Sequence, residues 1–288
     1  ATSVSKAGNG TWTLSGSNRY SGATTISAGT LALAGTFSNA FTASTGTLAP
    51  RGTPITTGNV SIAAGGAYQV RIRGPVLGTN YDQLTAGGTV TLGGALDLMA
   101  EPGLALGGNF TILNKTSAGA ISGTFAGLTN GAVFSADGYL WSITYAGGTG
   151  NDVVLHLATE REEWRHTYFG VITNAGIAAD GFDANGDGEV NVFEFATGQN
   201  PRAPQRAPIA LVHTGTLLEF DYPRAHAALA DGIDFIVEWS DTLEPGSWSS
   251  DGVSEETLND DDTVQSIRAR VGVGTAGRRF VRLKIIVP

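Results

Sequence analysis

The chain has 288 residues, of which 41% are hydrophobic and 8% aromatic, and this is enough apolar material for the cores of about two domains. Its 17 Lys and Arg face 26 Asp and Glu, and the net charge of −9 argues against nucleic acid or anionic membranes as partners. The absence of cysteine excludes disulfides, thiolate catalysis and thiolate metal sites. No apolar run reaches the 18 or so residues of a membrane span, so none is predicted.

A break in composition divides the chain near residue 158. The first part has a net charge of +1 and holds 28 of the 41 glycines, and the remainder has a net charge of −10. Short β-prone segments fill the first part, separated by Gly, Asn and Ser, and no helical period occurs there. These predicted strands lie at residues 11–14, 24–26, 30–33, 60–62, 68–72, 90–92, 95–98, 110–113 and 141–145.

A Gly-Thr-Leu or Gly-Thr-Val theme recurs at residues 29–31, 46–48 and 88–90. Recurring short strands are typical of stacked coils, none of which closes a core alone. The pattern predicts a mainly β protein in which residues 1–158 form a parallel β-helix, with roughly six to eight coils of about 20 residues each. A β-sandwich is the alternative.

Residues 10–33 resemble the autotransporter-associated β-strand repeat of large bacterial surface proteins, and residues 81–84, 110–113, 123–128 and 147–155 resemble the segment that ends such passengers. The resemblance implies a secreted right-handed β-helix that acts as a stalk or an adhesive surface. It also implies a location that is secreted, extracellular or on the bacterial cell surface. Because the chain starts at Ala1, without Met, in repeat-like sequence, we favour a fragment over a chain from which a signal has been removed.

One helix is predicted after the break, over residues 160–169. Trp164 and Tyr168 share one face of it, and charged residues surround the rest. Thr159 is the expected N-cap, with Glu162 placed for a capping box, and Gly170 is expected to end the helix.

The sharpest chemical motif is the acidic segment 183–194, which matches every fixed position of a twelve-residue EF-hand-type loop. Gly188 stands where such a loop turns sharply, so that its oxygens converge on one hard cation. We therefore predict one calcium site, because magnesium prefers water and phosphate ligands. A solvated acidic turn is the alternative. The predicted donors are side-chain oxygens of Asp183, Asn185, Asp187, Asn191 (directly or through water) and Glu194, together with the main-chain carbonyl of Glu189.

The loop is single, and the helix that follows it stops at Gly198 and Pro201, which favours a structural site over a paired regulatory EF-hand. Residues 164–201 resemble a linker in secreted proteins of Verrucomicrobia and related bacteria, where it precedes a small C-terminal β domain. A likeness to one half of a dockerin is weaker, because dockerins carry two such loops.

After a Pro-rich spacer at 202–208, four segments read as strands of a small antiparallel sandwich: 217–222, 235–240, 264–271 and 279–286. The predicted domains are a β-helix at 1–158, a helix and calcium-loop linker at 159–201, and a β-sandwich at 202–288.

Catalytic residues are not expected. The five acidic residues of the first part are few and scattered, and Asp82 and Asp152 are interpreted as turn residues. The four histidines (His156, His166, His213 and His226) have no metal-type spacing. In the last domain Trp239 is expected in the core, and Trp248 is the better candidate for stacking against a sugar.

The predicted function is that of a non-catalytic extracellular structural or adhesive surface protein, a stalk or fibre building block stabilised by Ca²⁺. The alternative is a carbohydrate-binding accessory module of a larger secreted protein. Expected partners are calcium, surface glycans, and other copies of the chain joined end to end through the β-helix.

Overall fold

The computed structural model describes residues 1–52, 54–274 and 278–288, and it divides the chain into two compact units, 1–158 and 159–288. The first unit confirms the predicted β-helix, with strands of successive coils stacked in parallel into three sheets. The first sheet contains β1 (Val4–Lys6), β3 (Thr24–Ile26), β5 (Phe41–Ala43), β8 (Val60–Ile62), β11 (Val90–Leu92) and β14 (Ser122–Gly123).

The other two sheets complete the faces of the coils. The second sheet contains β2 (Thr11–Ser17), β4 (Thr30–Thr36), β6 (Thr47–Pro50), β9 (Ala67–Ile72) and β12 (Ala95–Ala100). The third starts with the parallel strands β7 (Ile55–Thr57), β10 (Leu84–Ala86) and β13 (Asn109–Lys115), and continues with the antiparallel strands β17 (Asp152–Leu157), β16 (Tyr139–Gly147) and β15 (Val133–Ala136).

Stacking in register explains how the short strands of the first sheet build an apolar core. The register aligns Ile26, Ala43, Ile62 and Leu92 on successive coils, and all four side chains are buried. Since alternate side chains of a strand face opposite sides, each coil adds one inward residue to the same apolar ladder. The coils are unequal: 20 residues separate Val4 from its partner Thr24, and 30 separate Val60 from Val90.

An antiparallel layer closes the last coils of the β-helix. Trp141 on β16 is fully buried, and its ring centroid lies 5.8 Å from that of Phe110. Tyr68 is also fully buried, and its hydroxyl donates to the Ile112 carbonyl at 2.7 Å. The core of this unit therefore continues from the parallel coils into the antiparallel strands.

The second unit holds the helices and two antiparallel sheets. The helices are α1 (Glu160–Phe169), α2 (Asn191–Thr197) and α3 (His226–Ala230), with a single 3₁₀ turn at Gly176–Ala178. One sheet has the order β18 (Ala210–Thr214), β19 (Leu217–Ala225), β22 (Val264–Gly272), β21 (Ser254–Asp260), and the other pairs β20 (Asp234–Ser240) with β23 (Phe280–Ile286).

Two apolar clusters hold this unit together. Phe220, Tyr222 and Ile267 of the larger sheet pack with Val237 of the smaller one. Phe195 of α2 packs in a second cluster with residues of β19, α3 and the smaller sheet. The segment predicted as a linker thus packs on the C-terminal sheets within one unit.

In the first unit the sequence analysis missed several short strands, among them β5 and β7, and in the second unit it missed β18, β21 and α3. The strands β18 and β21 are exposed along their whole length, so neither alternates between apolar and polar residues as a half-buried strand does. The five-residue helix α3 is too short to show a helical period. No helix in the described part of the chain has the length and hydropathy to cross a membrane.

Candidate metal centre

The helix before the acidic loop starts and ends at the predicted residues. The Thr159 hydroxyl accepts from the Glu162 amide, and the Glu162 carboxylate accepts from the Thr159 amide at 2.9 Å, which makes a complete capping box. Gly170 ends α1 with φ +73°. These local bonds fix the two ends of α1.

Within the loop, each early polar side chain accepts from an amide further along. The Asp183 carboxylate accepts from the amides of Gly186 at 2.7 Å and Gly188 at 2.8 Å. Asn185 Oδ1 accepts from the Asp187 amide at 3.0 Å, and Asp187 Oδ1 from the Glu189 amide at 2.8 Å. These consecutive turns curl the backbone around the side chains at positions 1, 3 and 5 of the predicted loop.

Gly188 has φ +95°, in the left-handed region that disfavours other residues. A Cβ there would also meet the Arg206 guanidinium, which would have to move. The backbone conformation therefore favours glycine at this turn, and another residue would in addition displace Arg206.

Glu194, on α2, closes the loop. Its side chain is fully buried, and Oε1 accepts from Asn185 Nδ2 at 2.8 Å. The other carboxylate oxygen is buried without a hydrogen bond in the described structure, and so are Asp187 Oδ2 and Asn191 Oδ1. Leaving three such oxygens unsatisfied is costly, and a bound cation would satisfy oxygens of this kind.

The charges of the loop act most strongly on Glu194. Burial, followed by the negative charges of Asp187, Asp183 and Glu189, raises the pKa of Glu194 to about 7, although the Asn185 hydrogen bond opposes the shift. The pKa of Asp183 is lowered, chiefly because the Gly188 amide donates to it. The loop is thus a concentration of negative charge that a cation would relieve.

The six predicted donors differ in the contacts that they make in the structure. Asn191 donates through its amide nitrogen to the carbonyls of Ile177 at 2.9 Å and Ala179 at 2.8 Å. The Glu189 carboxylate accepts from the Ala207 amide at 2.9 Å, so this side chain anchors the loop, and the predicted ligand is its carbonyl.

The carboxylates have not converged on a single point. Nowhere in the described residues do three or more His, Cys, Asp or Glu side chains form a group able to hold a metal ion. Asn185 Nδ2 donates to Glu194 Oε1, so this amide nitrogen lies beside a carboxylate oxygen that is predicted to bind the ion. The donor chemistry fits calcium, and closing the shell would need this hydrogen bond to be replaced.

The sequence analysis treated 202–208 as a spacer, but its backbone and one side chain hold the loop. Asn185 Nδ2 donates to the Ala203 carbonyl at 2.7 Å, and Arg206 Nε donates to the Asp187 carbonyl at 2.5 Å. With the Ala207 contact, these bonds join the loop to the segment that leads into β18. Proline content was the only sequence signal here, and it does not predict contacts with a distant loop.

Asp180, three residues before the loop, is a second residue that the sequence analysis missed. Its carboxylate accepts from Arg165 at 2.5 Å and from Asn174 at 3.0 Å, and its carbonyl accepts from the Val192 amide at 3.1 Å. Arg161 also pairs with it at 3.4 Å. The spacing of Arg161 and Arg165, one helical turn apart, is the signal that could have revealed an acidic partner.

The acidic residues considered as turn residues have structural contacts. Asp82 is buried, and its carboxylate accepts from Arg71 Nε at 2.8 Å and the Gly52 amide at 3.1 Å, with Arg51 at 3.3 Å. It is therefore the buried centre of an ion-pair cluster between coils, whose two arginines are partly exposed. Asp152 begins β17 and accepts from the Lys115 amide at 2.8 Å.

The two tryptophans of the last domain each carry an arginine on one face. The Arg279 guanidinium lies 3.6 Å from the Trp239 ring centroid, and that of Arg282 lies 3.9 Å from the Trp248 ring centroid. Trp239 is half-buried and packs against the sandwich core. Arg282 thus covers one face of Trp248, the residue that the sequence analysis favoured for stacking against a sugar.

Comparison with known proteins gives one match. The family described as passenger-associated-transport-repeat matches residues 4–33, which span β1 to β3 and most of β4. This supports an autotransporter-associated repeat in the first coils and suggests a passenger-type surface protein, secreted or surface-exposed. No curated protein and no solved structure matches.

Proposed function

We propose that this chain is a non-catalytic extracellular structural protein, a building block of an adhesive surface stalk or fibre, whose C-terminal unit is stabilised by one calcium ion. The passenger-type repeat at residues 4–33 and the stacked coils support the surface role. A stack of coils needs no binding pocket to act as a spacer.

The buried, unpartnered Glu194 oxygen carries the calcium proposal. It belongs to a loop with the complete EF-hand-type spacing, and the buried oxygens of Asp187 and Asn191 also lack hydrogen bonds in the described structure. Calcium takes six to eight oxygen ligands in flexible geometry, so it suits a set of two carboxylates from Asp, one from Glu, two amides and a carbonyl.

Calcium bound there would join the elements of the second unit. Glu194 is on α2, Asn185 contacts Ala203, and Asp180 connects α1 to α2 just before the loop. Because these contacts exist only in the folded chain, binding stabilises it, by about 2.7 kcal/mol when free calcium is 100 times the dissociation constant.

Titration calorimetry of the whole chain with Ca²⁺ tests the proposal. We expect one site with a dissociation constant on the order of 10⁻⁴ to 10⁻³ M or tighter, and much weaker heat with Mg²⁺. Asp183→Ala should abolish binding. The matched control is Glu189→Gln, which keeps the carbonyl ligand and an acceptor for the Ala207 amide, and it should bind calcium within a few-fold of the parent.

Absence of heat with the unaltered chain in millimolar calcium would reject the calcium site. Equal loss of binding in both variants would mean that calcium binding depends on the net charge of the loop and not on a specific set of ligands.

The proposed end-to-end association uses the first coil. Trp12 on β2 is 48% exposed. Exposed apolar side chains on a strand favour pairing with another chain.

A further inference from the structure

Among the described residues of the C-terminal sandwich, β18 is an edge strand without protection. All five residues of β18 are exposed, with Leu211 at 48% and Val212 at 50%. The strand pairs only with β19 in the described structure. It carries no acidic residue, lysine or proline, which are the usual means by which proteins prevent an edge from pairing.

The exposure of the inner face of β18 follows from the unequal sheets. The larger sheet has four strands and the smaller one two, β20 and β23. The Trp239–Ser249 bridge places the chain before β21 beside β20, so β23 lies nearer to β18. Leu211 and His213 share the inner face with Phe220 and Leu218 of β19, yet Leu211 remains exposed because none of the described strands lies over it.

The other free edges of this sandwich are charged. β21 carries Glu255, Glu256 and Asp260, and all seven of its residues are exposed. β23 has Arg282 and Lys284 on its outward face. Two copies of β21 facing each other would bring like charges together, which is unfavourable, whereas two copies of β18 would not.

The turn after β18 fixes which backbone groups are free. Thr214 pairs with Leu217 across the two-residue turn Gly215–Thr216, and Gly215 has φ +63°. In such hairpins the residues flanking the turn exchange hydrogen bonds, and pairing alternates along the strand. The amides and carbonyls of Leu211 and His213 therefore point away from β19.

We propose that β18 docks against β18 of a second copy of this chain, in a two-fold antiparallel pair centred on Val212. In this register Leu211 lies opposite His213 of the other copy, and His213 opposite its Leu211. The outward groups of these residues then form four hydrogen bonds, and the two Val212 side chains meet at the axis. The larger sheet becomes a continuous eight-stranded sheet through an isologous contact.

Sedimentation of the whole chain over a wide concentration range tests this pairing. We expect the mass to rise toward twice that of one chain. Val212→Lys puts two like charges at the axis and should abolish the dimer. Leu258→Lys is the matched control: Leu258 is 45% exposed on the opposite edge strand, and this variant should still dimerise.

A cross-linking measurement gives an independent readout, because the chain has no cysteine of its own. Opposed residues of a non-hydrogen-bonded antiparallel pair have Cα atoms about 4.5 Å apart, within the range that a disulfide spans. Val212→Cys should therefore form a disulfide dimer much faster than Leu258→Cys under mild oxidation.

Three results would overturn the proposal. These are a chain that stays monomeric at the highest concentration, a dimer that survives Val212→Lys, and equal cross-linking of the two cysteine variants. A dimer that survives Val212→Lys but is lost in Trp12→Lys would place the contact at the first coil. Pairing of β18 needs neither calcium nor contacts of the coils. Sedimentation repeated in chelator therefore tests the β18 pairing separately from the proposed calcium site.

Discussion

Glu194 has one carboxylate oxygen bonded to Asn185 and another that is buried without a hydrogen bond in the described structure, within a loop that already holds three other acidic side chains. Burial and those charges raise its pKa to about 7. Folding therefore disfavours the ionised form of this residue, and a cation is the simplest means of restoring it.

The raised pKa gives stability a dependence on pH. Between about pH 4.5 and 7 the folded chain binds more protons at Glu194 than the unfolded chain, so without calcium its stability falls as the pH rises through this window. Calcium affinity should change in the opposite direction, weakening below pH 7 as Glu194 is protonated. Thermal unfolding in chelator and calorimetry, each at pH 5 and pH 8, measure the two effects.

Glu194→Gln is the control for this prediction, because it cannot titrate. It should lose both the calcium response and the part of the pH dependence that arises from this residue. An unaltered chain with equal calcium affinity at both pH values would contradict the assignment of Glu194 as a ligand.

The two loop glycines give a second test at the residue scale. Gly188→Ala places a Cβ against Arg206 at φ +95°, whereas Gly186→Ala, at φ +77°, meets nothing within 4 Å. We expect Gly186→Ala to destabilise the second unit by about 1 kcal/mol through backbone strain alone, and Gly188→Ala by about 2–3 kcal/mol. Chemical unfolding measures both, and equal losses would show that Arg206 moves aside without penalty.

At the scale of elements, α1, the loop and α2 are joined through Asp180. Its carboxylate pairs with Arg165, which is 4% exposed, and its carbonyl accepts from the first turn of α2. Residues 202–208 hold the loop from its other side. The loop is therefore fixed between segments distant in sequence, so a change in one of them should reach the others.

Asp180→Asn keeps the side-chain volume but removes the charge opposite Arg165. Leaving a buried guanidinium without its partner should destabilise the second unit by about 1–3 kcal/mol. Calcium affinity should fall a few-fold although Asp180 is not a predicted ligand, because the loop loses an anchor. Asp234→Asn on β20 is the comparison variant, and it should change neither quantity. Hydrogen exchange at α1 and α2 shows whether the loosening spreads.

At the scale of the whole molecule, the chain consists of two compact units with separate cores. The β-helix depends on ladders of aligned apolar residues, such as Ile26, Ala43 and Ile62. The second unit depends on a sandwich and on the segment around the loop. Two separate cores indicate two unfolding transitions, of which calcium affects one.

Ile62→Ala tests this independence. Truncating a fully buried coil residue should destabilise the β-helix by about 2–5 kcal/mol and leave the calcium response unchanged. Ser61→Ala, on the opposite face of the same strand, should have little effect. Differential scanning calorimetry with and without calcium resolves the transitions, and a single transition shifted by both treatments would refute the independence of the units.

The sequence by itself determined the features that depend on neighbouring residues. Alternation within short strands and the recurring Gly-Thr-Leu theme predicted the stacked coils, and the capping box of Thr159 and Glu162 placed α1 at its observed ends. The twelve-residue spacing identified the loop, because its turns are made by hydrogen bonds over two to five residues.

Only the tertiary structure decided which distant groups meet. It brought Asp180 to Arg165, residues 202–208 to the loop, and Asp82 to Arg71 of β9 and to Arg51, which follows β6. It also left β18 uncovered by placing two strands opposite four. These contacts depend on the closure of long loops and on the match between whole sheets, and neither leaves a periodic signal in a single sequence.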